Sequence, residues 1–330
     1  MARIAWCRLG EDRFAIDLST LLGVERTDRL QRLPADPGGA IGWLLGARED
    51  LPVYALARLL GRPDPPPAGR GSGVVLVYPG RADSGGFGLL ADGVERTERP
   101  VEAIHPLPEP FRNAGVAGFG GVALAEGALS LLLDPEEIGR RALRGTANGA
   151  IPAEAPGGPP RGDRESSGDE PGGATPRPGG GRSATRVLIA DLLARNAAGR
   201  RISIALAPAQ VAEVIEAPPV LAVPGAPARL PGIVLWRDRP IAVLDLASCL
   251  EGSDRLSAFG RADRFVIVAT GKEPVAVPVG RDVRFERLSR SAPARGAAPT
   301  AREVLGAFDL PDSLLLVFDL DRSLAGADLA

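Results

Sequence analysis

The sequence predicts an all-β fold in two similar halves, and three observations predict it. Apolar stretches are short and turn residues punctuate them about every 8–12 positions, the spacing of strands in small barrels and sandwiches. Helical periodicity over more than about ten residues is nearly absent. The chain also matches itself at one offset: Gly42 lies 190 residues before Gly232. At that spacing Val24 meets Val214, Leu45 meets Leu235, Val53 meets Val243, Leu56 meets Leu246 and Leu60 meets Leu250, with Pro34 and Pro37 meeting Pro224 and Pro227. From Phe14 and Ile204 to Gly61 and Glu251 the halves align without a gap, which marks a tandem duplication.

Each copy opens on an apolar strand, Phe14–Leu18 or Ile202–Leu206, followed by Leu21–Val24 or Val211–Ile215. A polar, proline-containing loop leads into a hairpin. In the second copy this hairpin spans Leu230–Leu246, where the apolar runs Ile233–Trp236 and Ile241–Leu244 flank the charged tetrapeptide Arg237–Pro240. Pro240 cannot donate to a ladder, so it is expected at the turn or at the first position of the second strand. Ala57–Leu60 and Ala247–Leu250 follow as helical turns. Val74–Tyr78 and Phe265–Ala269 are further strands, as are Phe87–Ala91 and Val275–Val279. The closing runs end in aspartate, Leu131–Asp134 and Leu316–Asp319, where Asp134 and Asp319 are expected to cap the next turn.

Composition breaks after Arg144. From Gly145 to Ser183 the chain is Gly, Pro, Ser, Ala and mixed charge, with Ile151 its only large apolar residue. Such a segment buries too little surface to offset its ordering entropy. It is expected to be a disordered linker, roughly 35–40 Å across on average, between domains at residues 1–144 and 184–330. The Arg161-Gly162-Asp163 triplet inside it is a chance resemblance to an adhesion motif.

Composition also excludes several functions. The formal charge is −2, with 41 acidic and 39 basic residues, and no basic stripe suggests nucleic acid. Cys7 and Cys249 form neither a disulfide framework nor a zinc site, and His105 is the sole histidine. No metal or cofactor is therefore expected. No apolar run reaches the ~18 residues that a spanning helix needs, and the N-terminus lacks a signal peptide's apolar core. A soluble cytoplasmic protein with no membrane insertion is the expectation.

The order of elements resembles the chemotaxis coupling protein family, the CheW-like domain. The second copy carries Val211-Ala212-Glu213-Val214, then Gly232, Arg237, Val243-Leu244-Asp245-Leu246 and the closing Phe318-Asp319. It departs from the family pattern with Asp238 for the hairpin glycine and Ala242 for a proline. The first copy keeps Pro52-Val53, Gly88-Leu89-Leu90-Ala91-Asp92-Gly93-Val94 and Leu131–Asp134. The resemblance covers both copies and omits the linker. It implies that each copy is a pair of small five-stranded SH3-like β-barrels around a shared aliphatic core. It also implies a non-catalytic adaptor that joins the cytoplasmic tips of methyl-accepting chemoreceptors to the regulatory domain of a CheA-type histidine kinase.

The offset separates polar positions from framework. Glu213 corresponds to Gly23, Arg237 to Ala47 and Asp245 to Ala55. In the family the glutamate and arginine lie close together on a partner-binding face, so both members of a charge-assisted pair are missing from the first copy. The plain alternative is an exposed pair worth at most about 1 kcal/mol. The expected partner-binding residues are Val211, Glu213, Val214, Gly232, Arg237 and Asp245, and the first copy is expected to have a structural or altered-partner role. Trp43 and Trp236, within the apolar strands, are assigned to the core ahead of any interface. Asp83-Ser84-Gly85-Gly86 resembles a serine-protease loop, but His105 completes no known triad order. Gly118-Phe119-Gly120-Gly121 precedes a strand and so is no dinucleotide loop. Two rival functions stand: a scaffold of the same fold in a non-chemotactic kinase pathway such as surface motility or development, and an enzyme on a β-barrel scaffold, which the lack of His, Cys and paired-carboxylate constellations disfavours.

Overall fold

A computed structural model of the chain describes residues 3–32, 39–46, 50–62, 73–80, 85–95, 101–147, 185–196, 198–250, 258–288 and 303–325. The segment expected to be a linker falls outside the described residues from 148 to 184, as do Pro34, Pro37, Ala47, Arg48, Asp83 and Ser84. The short apolar runs fold as strands. In the first copy these are β1 (Ile4–Leu9), β2 (Asp12–Asp17), β3 (Gly23–Arg26), β4 (Leu30–Arg32), β5 (Ala40–Leu44) and β6 (Leu51–Ala55). After helix α1 (Leu56–Leu59) come β7 (Val74–Tyr78), β8 (Phe87–Ala91), β9 (Gly93–Glu95) and β10 (Ala103–His105). Helix α2 (Glu109–Asn113), β11 (Phe119–Ala125), β12 (Ala128–Leu133) and helix α3 (Pro135–Ala147) complete it.

The second copy repeats the plan with β13 (Thr185–Arg195), β14 (Arg201–Leu206), β15 (Val211–Glu216), β16 (Leu221–Ala222), β17 (Gly232–Trp236) and β18 (Arg239–Val243). It continues with β19 (Arg264–Val268), β20 (Val275–Val279), β21 (Val283–Leu288), β22 (Val304–Asp309), β23 (Ser313–Phe318) and helix α4 (Leu320–Ala325). Each copy has two sheets. Their orders are β10-β11-β12-β2-β1-β9 and β3-β7-β8-β6-β5-β4 in the first, and β21-β13-β14-β23-β22 and β15-β19-β20-β18-β17-β16 in the second. The resemblance implied five strands per unit. Three of these sheets hold six, because the short edge strands β4, β9, β10 and β16 join them.

Strand register carries the duplication further than sequence matching did. Trp43 pairs with Pro52 and Leu44 with Leu51, just as Ile233 pairs with Ala242 and Val234 with Ile241, both at the offset of 190. Strands β7 and β19 coincide at that offset too. The offset then drops: β8 and β20 start at Phe87 and Val275, 188 apart, and β12 and β23 start at Ala128 and Ser313, 185 apart. Length changes fall in the connections and spare the strands, as surface loops allow.

Each sheet has a private apolar cluster on one face, such as Val234, Ile241, Val243, Phe265, Ile267 and Ala276 in the second copy's β15–β20 sheet. The opposite faces contribute to one larger cluster, which runs through both copies and includes Leu56, Leu76, Phe111, Leu131, Ile204, Leu246, Val277 and Leu316. Gly42 and Gly232 are framework in both copies. A Cβ on Gly42 would strike the Gln31 carbonyl oxygen, and one on Gly232 would lie 2.6 Å from that of Leu221. The neighbouring edge strand can approach only a glycine there.

Helices corrected two expectations. Asp134 does cap: its Oδ1 accepts from the backbone N–H groups of Glu136 (3.0 Å) and Glu137 (3.1 Å). What it caps is the 13-residue helix α3 rather than a turn, and α3 runs past the composition break at Arg144. Asp319 caps α4 through the Arg322 N–H at 3.0 Å. Pro240 is not in the turn. The turn is the two residues Arg237 and Asp238, and Pro240 is the second residue of β18, opposite Leu235. Its imide nitrogen faces away from β17, on a side where β20 pairs only with Ala242 and Val243, so no ladder bond is lost.

Candidate partner-binding site

A two-residue hairpin turn requires left-handed backbone at both central residues to match the twist of its strands, which is why Asn-Gly favours it. Arg237 (φ 48°) and Asp238 (φ 60°) adopt that conformation without glycine. Aspartate tolerates it, whereas arginine does so at a cost of roughly 1–2 kcal/mol. The turn thereby aims the Arg237 guanidinium back across the sheet. Its Cζ lies 4.8 Å from the centroid of the Trp236 ring, and Nη2 donates to Glu213 Oε2 at 3.0 Å. The Trp236 indole N–H donates to the same oxygen at 2.9 Å.

Glu213 arrives there through a β-bulge. Along β15, Val211 pairs with Val268 but Glu213 pairs with Ile267, so one extra residue, Ala212, interrupts the alternation. Val211 and Val214 consequently pack against the large shared core, while Ile215 packs with Trp236 against the private cluster of the same sheet. Glu213 follows Ile215 onto that second face, beside the indole. The indole N–H and, after it, the Arg237 charge hold the Glu213 carboxyl below the usual carboxylate range, against the opposing effect of desolvation. Both charged side chains still face solvent, Arg237 at 68% exposure and Glu213 at 39%.

Of the six expected residues, the fold brings two together at the surface. Glu213 and Arg237 form the pair. Val211 and Val214 are core-facing, and Gly232 is the close-approach glycine already described. Asp245 is not at the surface: it is 4% exposed, and its Oδ1 accepts from the Ala247 N–H at 3.0 Å to cap the short 3-10 turn Leu246–Cys249. Its first-copy counterpart Ala55 precedes α1 with no side-chain cap, so the difference between copies at this position is a helix cap.

Trp236 packs against the core as expected, but only half-buried: one side lies on the private cluster and its N–H meets the carboxylate. At the 190 offset it corresponds to Gly46, so the first copy has Gly23, Gly46 and Ala47 where the second has Glu213, Trp236 and Arg237. The strand pairs Gly23–Val77 and Glu213–Ile267 confirm the first correspondence. Trp43 sits elsewhere in the hairpin and is 38% exposed. Burial pushes the Cys249 thiol up to about 11 and the Cys7 thiol up to about 12, so neither is a nucleophile at neutral pH. His105 lies on β10 opposite Val122.

The described residues form a two-sheet β domain twice over, and the second copy carries the Glu213–Trp236–Arg237 cluster. The model of the CheW-like domain matches residues 3–142 and again 193–328. The chain therefore belongs to the CheW-like domain family, a family of chemotaxis scaffolds and adaptors, and carries that domain twice. Among solved structures, the scaffolding protein TtCheW from Thermoanaerobacter tengcongensis is similar at 18% identity over 41% of this chain and 90% of that one, with a TM-score of 0.34. No curated protein matches the sequence. No helix among the described residues is long and apolar enough to cross a membrane.

Proposed function

We propose that the chain is a coupling adaptor whose second copy binds the regulatory domain of a CheA-type histidine kinase, the cytoplasmic tips of methyl-accepting chemoreceptors, or both, at the surface centred on Glu213 and Arg237. The observation that carries this reading is a preorganised charge pair kept exposed. Trp236 and Arg237 converge on one carboxylate oxygen, and Arg237 holds its place against an unfavourable backbone conformation. Strain of that kind persists where surrounding structure maintains it and clusters at functional positions. All three residues are replaced by small ones in the first copy, which accordingly serves as a structural partner. Signalling would follow from binding that favours one kinase state over another, since only differential affinity shifts such an equilibrium.

Arg237→Gly separates fold from site. It removes the guanidinium and relieves the left-handed strain, so the melting temperature should stay within a few degrees of wild type. Pull-down of kinase or receptor from native lysate should fall at least tenfold. Undiminished capture with an intact fold would place the binding surface elsewhere.

A further inference from the structure

The apolar cluster private to the second copy's β21-β13-β14-β23-β22 sheet stops short of the strand ends. Val187, Ile189, Ala205 and Leu315 form it on one face. Alternate residues share a face. Two residues beyond Ile189, and two before Ala205 and Leu315, that face therefore carries Asp191, Ser203 and Ser313. A cleft of about 330 Å³ opens there, bordered also by Arg201, Asp282, Arg284 and the turn residue Asp312. Its volume falls in the range of small-ligand pockets.

The polar groups of this cleft do not balance one another. Arg284 Nε donates to Glu286 Oε1 at 2.6 Å, and Arg201 lies 4.0 Å from Asp282, which accounts for both cations. Asp191 Oδ1 accepts from the Leu193 N–H at 2.8 Å and meets no cation, and the Asp312 carboxylate has no partner among the described residues. Ser203 and Ser313 are each only 6% exposed, and among the described residues neither hydroxyl has a hydrogen-bond partner. Buried polar side chains are ordinarily paired. Two such hydroxyls beside two uncompensated carboxylates are acceptors set out for a cationic donor.

The duplication indicates which cation. Cys7 pairs with Phe14 and Val94 in the first copy, as Ala190 pairs with Ile204 and Val283 in the second. By that register Arg13 stands at the place of Ser203, Glu95 at that of Arg284 and Arg8 at that of Asp191. Arg13 Nη2 reaches Glu95 Oε1 at 3.3 Å across β1, the counterpart of β13. The first copy thus supplies this face with a guanidinium of its own. The second has a serine in place of that arginine and carboxylates, Asp191 and Asp312, in place of Arg8 and Gly127. We infer that the second copy's cleft binds a guanidinium group from outside, with Asp191 and Asp312 as counter-charges and the Ser203 and Ser313 hydroxyls accepting further N–H bonds. A guanidinium carries five N–H donors in a planar fork, against three on an ammonium, and so meets dispersed acceptors together. Free arginine and an arginine side chain of another protein share this chemistry. The inference is independent of kinase or receptor binding, because Glu213 and Arg237 belong to the other sheet of this copy.

Titration of the full-length protein with free L-arginine, an end-blocked Gly-Arg-Gly peptide and L-lysine, followed at the amide resonances of Asp191, Ser203 and Ser313, tests it. Arginine or the peptide should give saturable shifts at these amides, and lysine should bind at least tenfold more weakly. Binding of free arginine alone would mark a small-molecule site, and equal binding of the peptide a receptor for a protein side chain. Asp312→Asn, in an exposed turn, should weaken the guanidinium probes at least tenfold while the melting temperature stays within a few degrees of wild type. Ser203→Arg combined with Arg284→Glu installs the first copy's pair and should abolish the shifts. No saturable shift at about 10 mM probe, lysine binding as tightly as arginine, or binding that survives these variants would overturn the inference. Should the double variant lose its fold, Asp312→Asn decides alone.

Discussion

Trp236 shows how much a single donor can organise. An exposed Glu–Arg pair in water is worth about 0–1 kcal/mol and samples many geometries. Here the indole is clamped on one face by the private cluster, so its N–H points at a fixed place and the carboxylate settles there. Trp236→Phe keeps the ring and the cation–π contact but removes the donor. The Glu213 carboxyl should then titrate closer to the ordinary value of about 4.3, followed by carbon NMR, with little change in melting temperature and weaker partner capture. The lowered carboxyl value also sets a pH window. A group whose ionised form is favoured by folding contributes fully above its unfolded value, and the contribution disappears as pH falls through the folded one. Partner binding through Glu213 should therefore be flat from pH 5 to 8 and fail only below the ordinary range in which carboxylates titrate, measurable by binding assays carried into acid. Asp245→Ala should do the reverse of Trp236→Phe. Loss of the cap should cost about 1–2 kcal/mol in denaturant unfolding, while capture of the partner persists in the folded protein.

At the scale of elements, the hairpin is where sequence and structure agree most closely. Two apolar runs, a charged turn and a glycine repeated 190 residues apart are local signals, and they place β17, β18 and their partners in the first copy. The glycine has a definite steric reason, since the β16 carbonyl leaves no room for a Cβ. Gly232→Ala should detach β16 and lower stability by about 1–3 kcal/mol, visible as faster amide exchange at Leu221 and Ala222. Other features were not legible because their causes are not local. The bulge at Ala212 exists only through pairing with β19, and without it alternation would set Glu213 on the same face as Val211. Helix α3 buries Ile138, Gly139 and Ala142 among the positions described, but it is polar overall and ends in linker-like composition, so no apolar run announces it. Strand β13 bends at a left-handed Leu193 (φ 58°), where its register shifts, and its sequence, Thr-Arg-Val-Leu-Ile-Ala-Asp-Leu-Leu-Ala-Arg, has no alternation.

At the scale of the molecule, one apolar cluster runs through both copies while each sheet keeps a smaller one to itself. Shared burial couples the copies, because opening one exposes apolar surface of the other. Calorimetry of the wild-type chain should show a single transition. Two well-separated transitions in the wild-type chain would show that the copies unfold as separate units.

Each sheet also contains one parallel strand pair, and these pairs join distant parts of the chain: β2 lies beside β12, and β14 beside β23. During synthesis the opening strands of each copy must wait, edge unpaired, until more than a hundred residues later the closing strand emerges from the ribosome. Because β12 and β23 are versions of one strand, the waiting edge of one copy can accept the closing strand of the other, the misassembly to which tandem repeats are prone. Order of emergence protects the first copy, whose own β12 is made long before β23. The second copy has no such protection, and its defence is the divergence of Ala-Leu-Ser-Leu-Leu-Leu from Ser-Leu-Leu-Leu-Val-Phe.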